Sequence, residues 1–234
     1  MPQQYLGEEA PEGEALRPTA EPLHGKYTSL VPYDSSHVDS LYRELFRPGT
    51  EHIWTWIPAQ IPSEVTQTGA ALDYLLSLSS SSESFFYAVL SAPASDPSAE
   101  ALGLITHVNV APEHRRIEVG VIFGSQLKQT RMATEAFYLM MQNTFENYGY
   151  TRFEWRANEL NTASVAAAKR LGFQYEGILR NNLIVKGRYR NTVCCSVLKE
   201  EWPRVRGGFQ KWLSPDNFDE SGKQKLSLKE CRET

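Results

Sequence analysis

Cysteine is scarce in this chain: there are three, Cys194, Cys195 and Cys231, in 234 residues. An odd number with two adjacent suits neither a disulfide framework nor the paired spacing of a zinc site, so a reducing compartment and no bound metal are expected. Long apolar runs are also missing. None approaches membrane-spanning length, and residues 1–25 lack the basic start and apolar stretch of a secretory signal, so the expectation is a soluble, cytoplasmic protein without a membrane partner. Nor is there an excess of positive charge. With 24 Lys+Arg against 28 Asp+Glu and a net charge of -4, a nucleic-acid surface is not expected as the main partner.

What is present describes a globular domain. Hydrophobic residues make up 41% and aromatics 11%, enough for one well-packed core in a chain of this length. Residues 1–25 carry Glu8, Glu9, Glu12, Glu14 and Glu21 among Pro2, Pro11, Pro18 and Pro22, and read as a flexible acidic tail. A domain over 26–213 follows, then a polar, frayed tail over 214–234.

Within the domain, the most informative stretch runs from Arg115 to Phe145. In Ile117–Phe123 the apolar residues fall on odd positions, so a strand would place Glu118 and Gly120 on its other face. After Gly124, a polar turn from Ser125 to Arg131 leads to a helix with Met132, Ala133, Ala136, Phe137, Met140 and Met141 at helical spacing. Strand, basic turn and helix start make an anion site: exposed amides carry partial positive charge, and Lys128 and Arg131 add whole charges suited to a pyrophosphate. An ordinary strand-to-helix connection with solvated Lys and Arg is the alternative.

The flanking chain completes an α+β pattern. A first strand at Tyr27–Val31 precedes a helix capped by Asp34, which stops at Pro48-Gly49. His52 to Pro58, with Trp54 and Trp56, suits a wall or lid against the acceptor, or else core packing. A second helix capped by Ser63 buries Val65, Leu72, Leu75 and Leu76 and ends in the serine run Ser79–Ser82. Strands are expected at Phe85–Leu90, Leu102–Val110, Thr151–Ala157, Gly177–Val185 and Asn191–Leu198, with a helix from Asn161 to the stop at Gly172 and a last amphipathic piece holding Trp202, Phe209, Trp212 and Leu213. Pairing Leu102–Val110 with Ile117–Phe123 around the Pro112–Arg115 turn sets Ala111 near Arg116, Asn109 opposite Glu118 and His107 opposite Gly120. His107, Asn109 and Glu118 would then form a polar cluster on one face.

Three motifs in this order narrow the reading: Ala133-Thr134-Glu135-Ala136 opening the central helix, Glu154-Trp155-Arg156 followed by Asn161-Thr162-Ala163-Ser164, and Arg170-Leu171-Gly172-Phe173 with Glu176-Gly177. Together they resemble the GCN5-related N-acetyltransferases, in the branch that includes RimJ and RimL, over about residues 26–213. The resemblance implies a central, mostly antiparallel seven-stranded splayed sheet flanked by helices, with acetyl-CoA as cosubstrate. Its pyrophosphate would rest on Lys128 and the amides of Gln129, Thr130, Arg131, Met132 and Ala133, and its pantetheine arm along Val121, Ile122 and Phe123. Asn161 and Ser164 match positions that contact the arm or the thiol. Arg131 stands where the family loop has its first glycine, and Asn191 where relatives often carry Asp.

Acyl transfer to an amine needs a neutral nucleophile, a place for the oxyanion and a proton for the departing thiolate. Glu118 is the expected base, with His107 relaying through water, an amide near Ile122 receiving the oxyanion, and Ser164, or less directly Tyr175, protonating the sulfur. A fold-stabilising pairing of Glu118 with Arg116 or Arg152 is the competing role. Trp54, Trp56, Asn109 and Glu118 are the expected acceptor contacts. The acceptor would be a small-molecule or amino-acid primary amine, with a protein N-terminus, or acyl-CoA binding without turnover, as alternatives. The assembly would be a monomer or homodimer.

Overall fold

A computed structural model describes residues 7–59, 68–79 and 85–233. Ser63, Val65 and Ser80–Ser82, assigned above to the second helix and its end, lie outside these residues. In chain order the elements are β1 (Leu23–His24), β2 (Ser29–Pro32), α1 (Val38–Leu45), α2 (Thr68–Ser79), β3 (Phe85–Leu90), β4 (Ala101–Ala111) and β5 (Arg116–Phe123). They continue with α3 (Arg131–Gln142), β6 (Arg152–Asn158), α4 (Thr162–Leu171), β7 (Gln174–Val185), β8 (Arg188–Leu198), α5 (Trp202–Leu213) and α6 (Leu228–Glu233). One sheet of eight strands, ordered β1-β2-β3-β4-β5-β6-β8-β7, is antiparallel except between β5 and β6.

Both faces of the sheet are covered, which explains why its central strands are apolar on alternating and non-alternating positions alike. On one face Ile105, Ile117, Val119 and Phe153 pack with Phe137, Met140 and Met141 of α3 and Phe209 of α5. The helical spacing read from the sequence puts those α3 side chains on a single stripe. On the other face Ala88, Leu90, Leu104 and Ile122 pack with Leu41 and Leu45 of α1 and Leu75 of α2. Asp34 does begin the first helical segment, its carboxylate accepting from the Ser36 amide at 2.8 Å.

The eighth strand, β1, belongs to the segment read as a flexible tail, and the structure corrects that reading. Ala15 is buried and its amide donates to the Pro112 carbonyl at 3.1 Å, the Leu16 amide donates to the Tyr148 carbonyl at 2.9 Å, and Arg115 Nη2 donates to the Glu12 carbonyl at 2.7 Å. The frayed C-terminal end is corrected likewise. Leu228 and Cys231 of α6 are buried, Trp212 Nε1 donates to Gln224 Oε1 at 2.9 Å, and a Cβ at Gly208 of α5 would collide with Arg232. In both segments hydrogen bonds to distant residues supply what local apolar content does not.

The feature that positions the site is where pairing stops. β5 and β6 run parallel from the Arg116↔Arg152 pair to the Val119↔Trp155 pair and no further, while β5 continues against β4 to Phe123 and β6 against β8 to Asn158. The sheet therefore opens between Gly120–Phe123 and Arg156–Asn158.

Candidate active site

Strand alternation decides which backbone groups face this opening. The Gly124 amide donates to the Leu102 carbonyl at 2.9 Å, and the Ile122 carbonyl lies against Gly103, so the even-numbered residues of β5 spend their polar groups on β4. Val121 and Phe123 turn theirs into the gap. This corrects the placing of Ile122: its backbone pairs with Leu104 and its side chain is core, so the amide open to an oxyanion is that of Val121 or Phe123.

Glu118 stands in the rung just before pairing ends, opposite Glu154. It is 8% exposed, accepts from Asn109 Nδ2 at 2.7 Å and lies 3.4 Å from Arg156 Nε. Burial pushes its carboxyl above the ordinary glutamate range, against the downward pull of Asn109 and Arg156. A partly desolvated carboxylate with a raised pKa is a competent general base. The ion pairs expected for Glu118 with Arg116 or Arg152 go instead to Glu154, which meets Arg152 Nε at 2.7 Å, Arg156 Nη2 at 3.0 Å and Arg116 Nη1 at 3.9 Å. Arg152 also clamps Glu176, whose carboxyl it holds down to about 2. Arg152, Glu154, Arg156 and Glu176, with Gly177–Leu179, Cys194 and Cys195, line an open cavity of ≈ 310 Å³.

His107 does not join this cluster. An extra residue in β4 between the Val108↔Glu118 and Ala111↔Arg116 pairs, centred on Asn109 at φ 50°, shifts His107 opposite Val119. The ring is fully buried on the other face, with Nε2 3.1 Å from Thr144 Oγ1 and Tyr148 and Phe153 beside it. Burial drives its pKa down to about 3, so it is a neutral core histidine and not a proton relay. The same bulge lets Asn109 reach Glu118, the contact expected for the wrong reason. Trp54 is also corrected: it is 3% exposed, donates to the Leu45 carbonyl at 2.6 Å and packs against Phe46 and Tyr74. Trp56 is 36% exposed. The β7–β8 turn reaches this segment, Lys186 Nζ donating to the Trp54 carbonyl at 2.6 Å.

Across the sheet from Glu118, Ser164 sits in the first turn of α4, held by the Asn161 cap at 3.2 Å. Its Oγ accepts from Trp155 Nε1 at 3.0 Å, and Trp155 occupies the last paired rung of β6. With that lone pair taken, the hydroxyl proton is free to be donated. Tyr175 is 49% exposed, with Lys169 over its ring.

At the other end of β5, α3 begins with its N-terminus toward the loop 124–130. Thr130 caps it, its Oγ1 accepting from the Ala133 amide at 3.1 Å, which removes Ala133 from the expected phosphate donors. Arg131 is turned aside: its guanidinium lies 4.0 Å from the Phe218 ring and 5.5 Å from the Tyr27 ring. Gln129 adopts φ 62° and Lys128 is exposed. The first-turn amides of Arg131 and Met132, which a helix cannot satisfy internally, and the Lys128 ammonium are a donor set that fits a pyrophosphate, and the open edge of Val121 and Phe123 fits an extended amide-bearing arm. Acetyl-CoA therefore fits the residues present. Asn191, where relatives carry Asp, accepts from the Asn181 amide at 2.8 Å and donates to Glu159 at 2.8 Å, a turn role that needs no charge. Sequence reasoning missed Arg156, which meets both Glu118 and Glu154, although the Arg152/Glu154/Arg156 alternation was the signal.

A sheet opened between two parallel central strands, with a helix start of free amides at one end and a buried carboxylate beside the opening, defines an acetyltransferase fold of the GNAT class. The chain belongs to that family: the acetyltransferase (GNAT) domain model matches residues 28–174. A GCN5-related N-acetyltransferase from Brucella melitensis is 33% identical, with TM-score 0.87 over 94% of this chain and 98% of that one. RimJ of Mycobacterium smegmatis, solved with CoA-disulfide, shares the fold at TM-score 0.64 and 20% identity over 79% of this chain and 90% of its own. The spermidine N(1)-acetyltransferase of Escherichia coli (strain K12) is 25% identical over 103 residues, 44% of this chain. The chain spans about half the length of the curated relatives it matches, 55% in that case. Among the described residues, no helix is long and apolar enough to cross a membrane.

Proposed function

We propose that this protein is an N-acetyltransferase that moves an acetyl group from acetyl-CoA to the primary amine of a small molecule or amino acid, directly, within a ternary complex. The observation that carries the reading is the end of β5–β6 pairing at Val119↔Trp155, with Glu118 one rung before it on one face of the sheet and Ser164, bonded to Trp155, on the other. Bound acetyl-CoA supplies an acyl group activated as a thioester. The amine approaches from the Glu118 face, where the carboxylate takes its proton directly or through one water, and Asn109 holds that carboxylate in place. The Val121 or Phe123 amide donates to the carbonyl oxygen as charge develops there. As the C–N bond forms and the C–S bond breaks, Ser164 passes a proton to the sulfur from the opposite face and takes one back from solvent water, its oxygen steadied by Trp155, while the proton taken by Glu118 leaves to solvent.

A protein N-terminus is the second acceptor reading, favoured by a 30% identity over 100 residues to a Bacillus subtilis (strain 168) protein named as a putative ribosomal N-acetyltransferase. The test is release of free thiol from acetyl-CoA with amino acids, polyamines, aminoglycosides and short peptides as acceptors. Turnover confined to peptides would select the second reading. Tight CoA binding with no thiol release for any acceptor would sink both and leave an acyl-CoA-binding module.

A further inference from the structure

Arg190 is the charged side chain that the proposed chemistry leaves unused. It lies on β8 two residues before Thr192, which pairs with Asn158, and alternation sets it on the same sheet face as Cys194, Arg156, Glu154 and Glu118. It is only 6% exposed. Its Nε has no hydrogen-bond partner, and among the described residues no carboxylate lies within ion-pairing distance of its guanidinium. Its charge and that of Glu118 act on each other across this shared face.

A buried guanidinium without a carboxylate is costly, and here the Nε donor has lost water and gained nothing. The neighbouring arginines are not in that state: Arg152 is held by Glu154 and Glu176, and Arg156 by Glu118 and Glu154. On this face the carboxylates of Glu118, Glu154 and Glu176 are taken up by Arg116, Arg152 and Arg156, and Arg190 is left without one. The fork geometry of a guanidinium matches a carboxylate bidentately.

Resting on the transferase reading above, we infer that the acceptor carries a carboxylate near its amine, as an amino acid does, and that Arg190 binds that carboxylate and so delivers the amine to Glu118. Arg190 is then a substrate-binding residue that selects free amino acids over their amides, over decarboxylated amines and over peptide N-termini.

The test compares kcat/KM for amino acids with that for the matching carboxamides and decarboxylated amines, by thiol release from acetyl-CoA, in the wild-type protein, Arg190→Gln and Arg190→Lys. The ratio of acid to amide is read because it cancels any effect of the substitution on acetyl-CoA binding or on Glu118. A wild-type ratio of roughly 10 to 100 that falls toward one in Arg190→Gln, and falls less in Arg190→Lys, supports the inference. Should Arg190→Gln not fold, a wild-type preference for the acid that drops in Arg190→Lys decides in its favour. Equal use of acid and amide by the wild type, or a preference that survives both substitutions, overturns the anchor while the transferase reading stands. Absence of thiol release with every acceptor overturns the transferase reading and the anchor together.

Discussion

Replacing Glu118 by Gln is the most discriminating perturbation, because the substitution keeps the shape and removes only the base. The Gln carbonyl can still accept from Asn109, now at 2.7 Å from the carboxylate, so the local fold should hold. What is lost is proton transfer. An alkylamine with a pKa of about 10 is almost wholly protonated at neutral pH, and a positioned base contributes roughly 10²–10⁴-fold. Turnover should therefore fall by about 10²-fold or more while the KM for acetyl-CoA, whose proposed site lies along Val121, Phe123 and α3, stays near its original value. The pH profile carries the sign. Burial raises the Glu118 pKa above its ordinary 4.5, and the base works only when ionised, so activity should fall as pH drops through that raised value. In Glu118→Gln this acidic limb should vanish. Steady-state thiol release from pH 5 upward measures both effects. Turnover within about threefold of the wild type, with the acidic limb intact, would refute the assignment of Glu118 as base.

Three further outcomes are expected. Glu135 of α3 is 5% exposed and accepts from the amides of Lys26, Tyr27 and Thr28 at 2.9, 2.6 and 2.9 Å, so Glu135→Ala should cost about 3 kcal/mol in denaturant unfolding, with an unchanged midpoint counting against this clamp. Ser164→Ala should lower kcat roughly 10-fold or more with little change in the KM for acetyl-CoA, since the thiolate loses its proton donor; a change in KM alone would make Ser164 a binding residue only. Leu228→Ala, at a site 1% exposed, should destabilise by about 2–4 kcal/mol in thermal or urea unfolding, and a neutral result would mean that α6 is not part of the cooperative unit.

Much of this architecture follows from local patterns. The period-two run Ile117–Phe123, the break at Gly124 and the helical stripe from Met132 to Met141 each depend only on neighbouring residues, and they identified β5, the anion-binding turn and α3. Asp34, Asn161 and Gly172 marked helix ends because capping is a property of a few consecutive residues. The three motifs in register then pointed to the family. What local pattern cannot carry is a change of phase. One extra residue at Asn109 in the left-handed region moved His107 to the opposite face of the sheet, from a catalytic expectation to a core position.

The sequence by itself thus determined the order of the elements from β2 to α5, the helix caps, the apolar stripe of α3 and the resemblance to the family, since each is written in the spacing of nearby side chains. Tertiary structure decided the rest. Where β5 and β6 part, which of Val121, Ile122 and Phe123 face the gap, and that Trp54 is core are consequences of pairing between distant strands. It also decided that Glu154 takes Arg152 and Arg116 while Glu118 shares Arg156 with it, and that Arg190 Nε is buried without a partner. The same holds for residues 12–24 and 215–233, whose few apolar side chains suggested fraying. Hydrogen bonds to Tyr148, Pro112 and Arg115, and the packing of Leu228 and Cys231, join them to the body, because burial and hydrogen bonding are set by what the whole chain brings near, not by the composition of the segment.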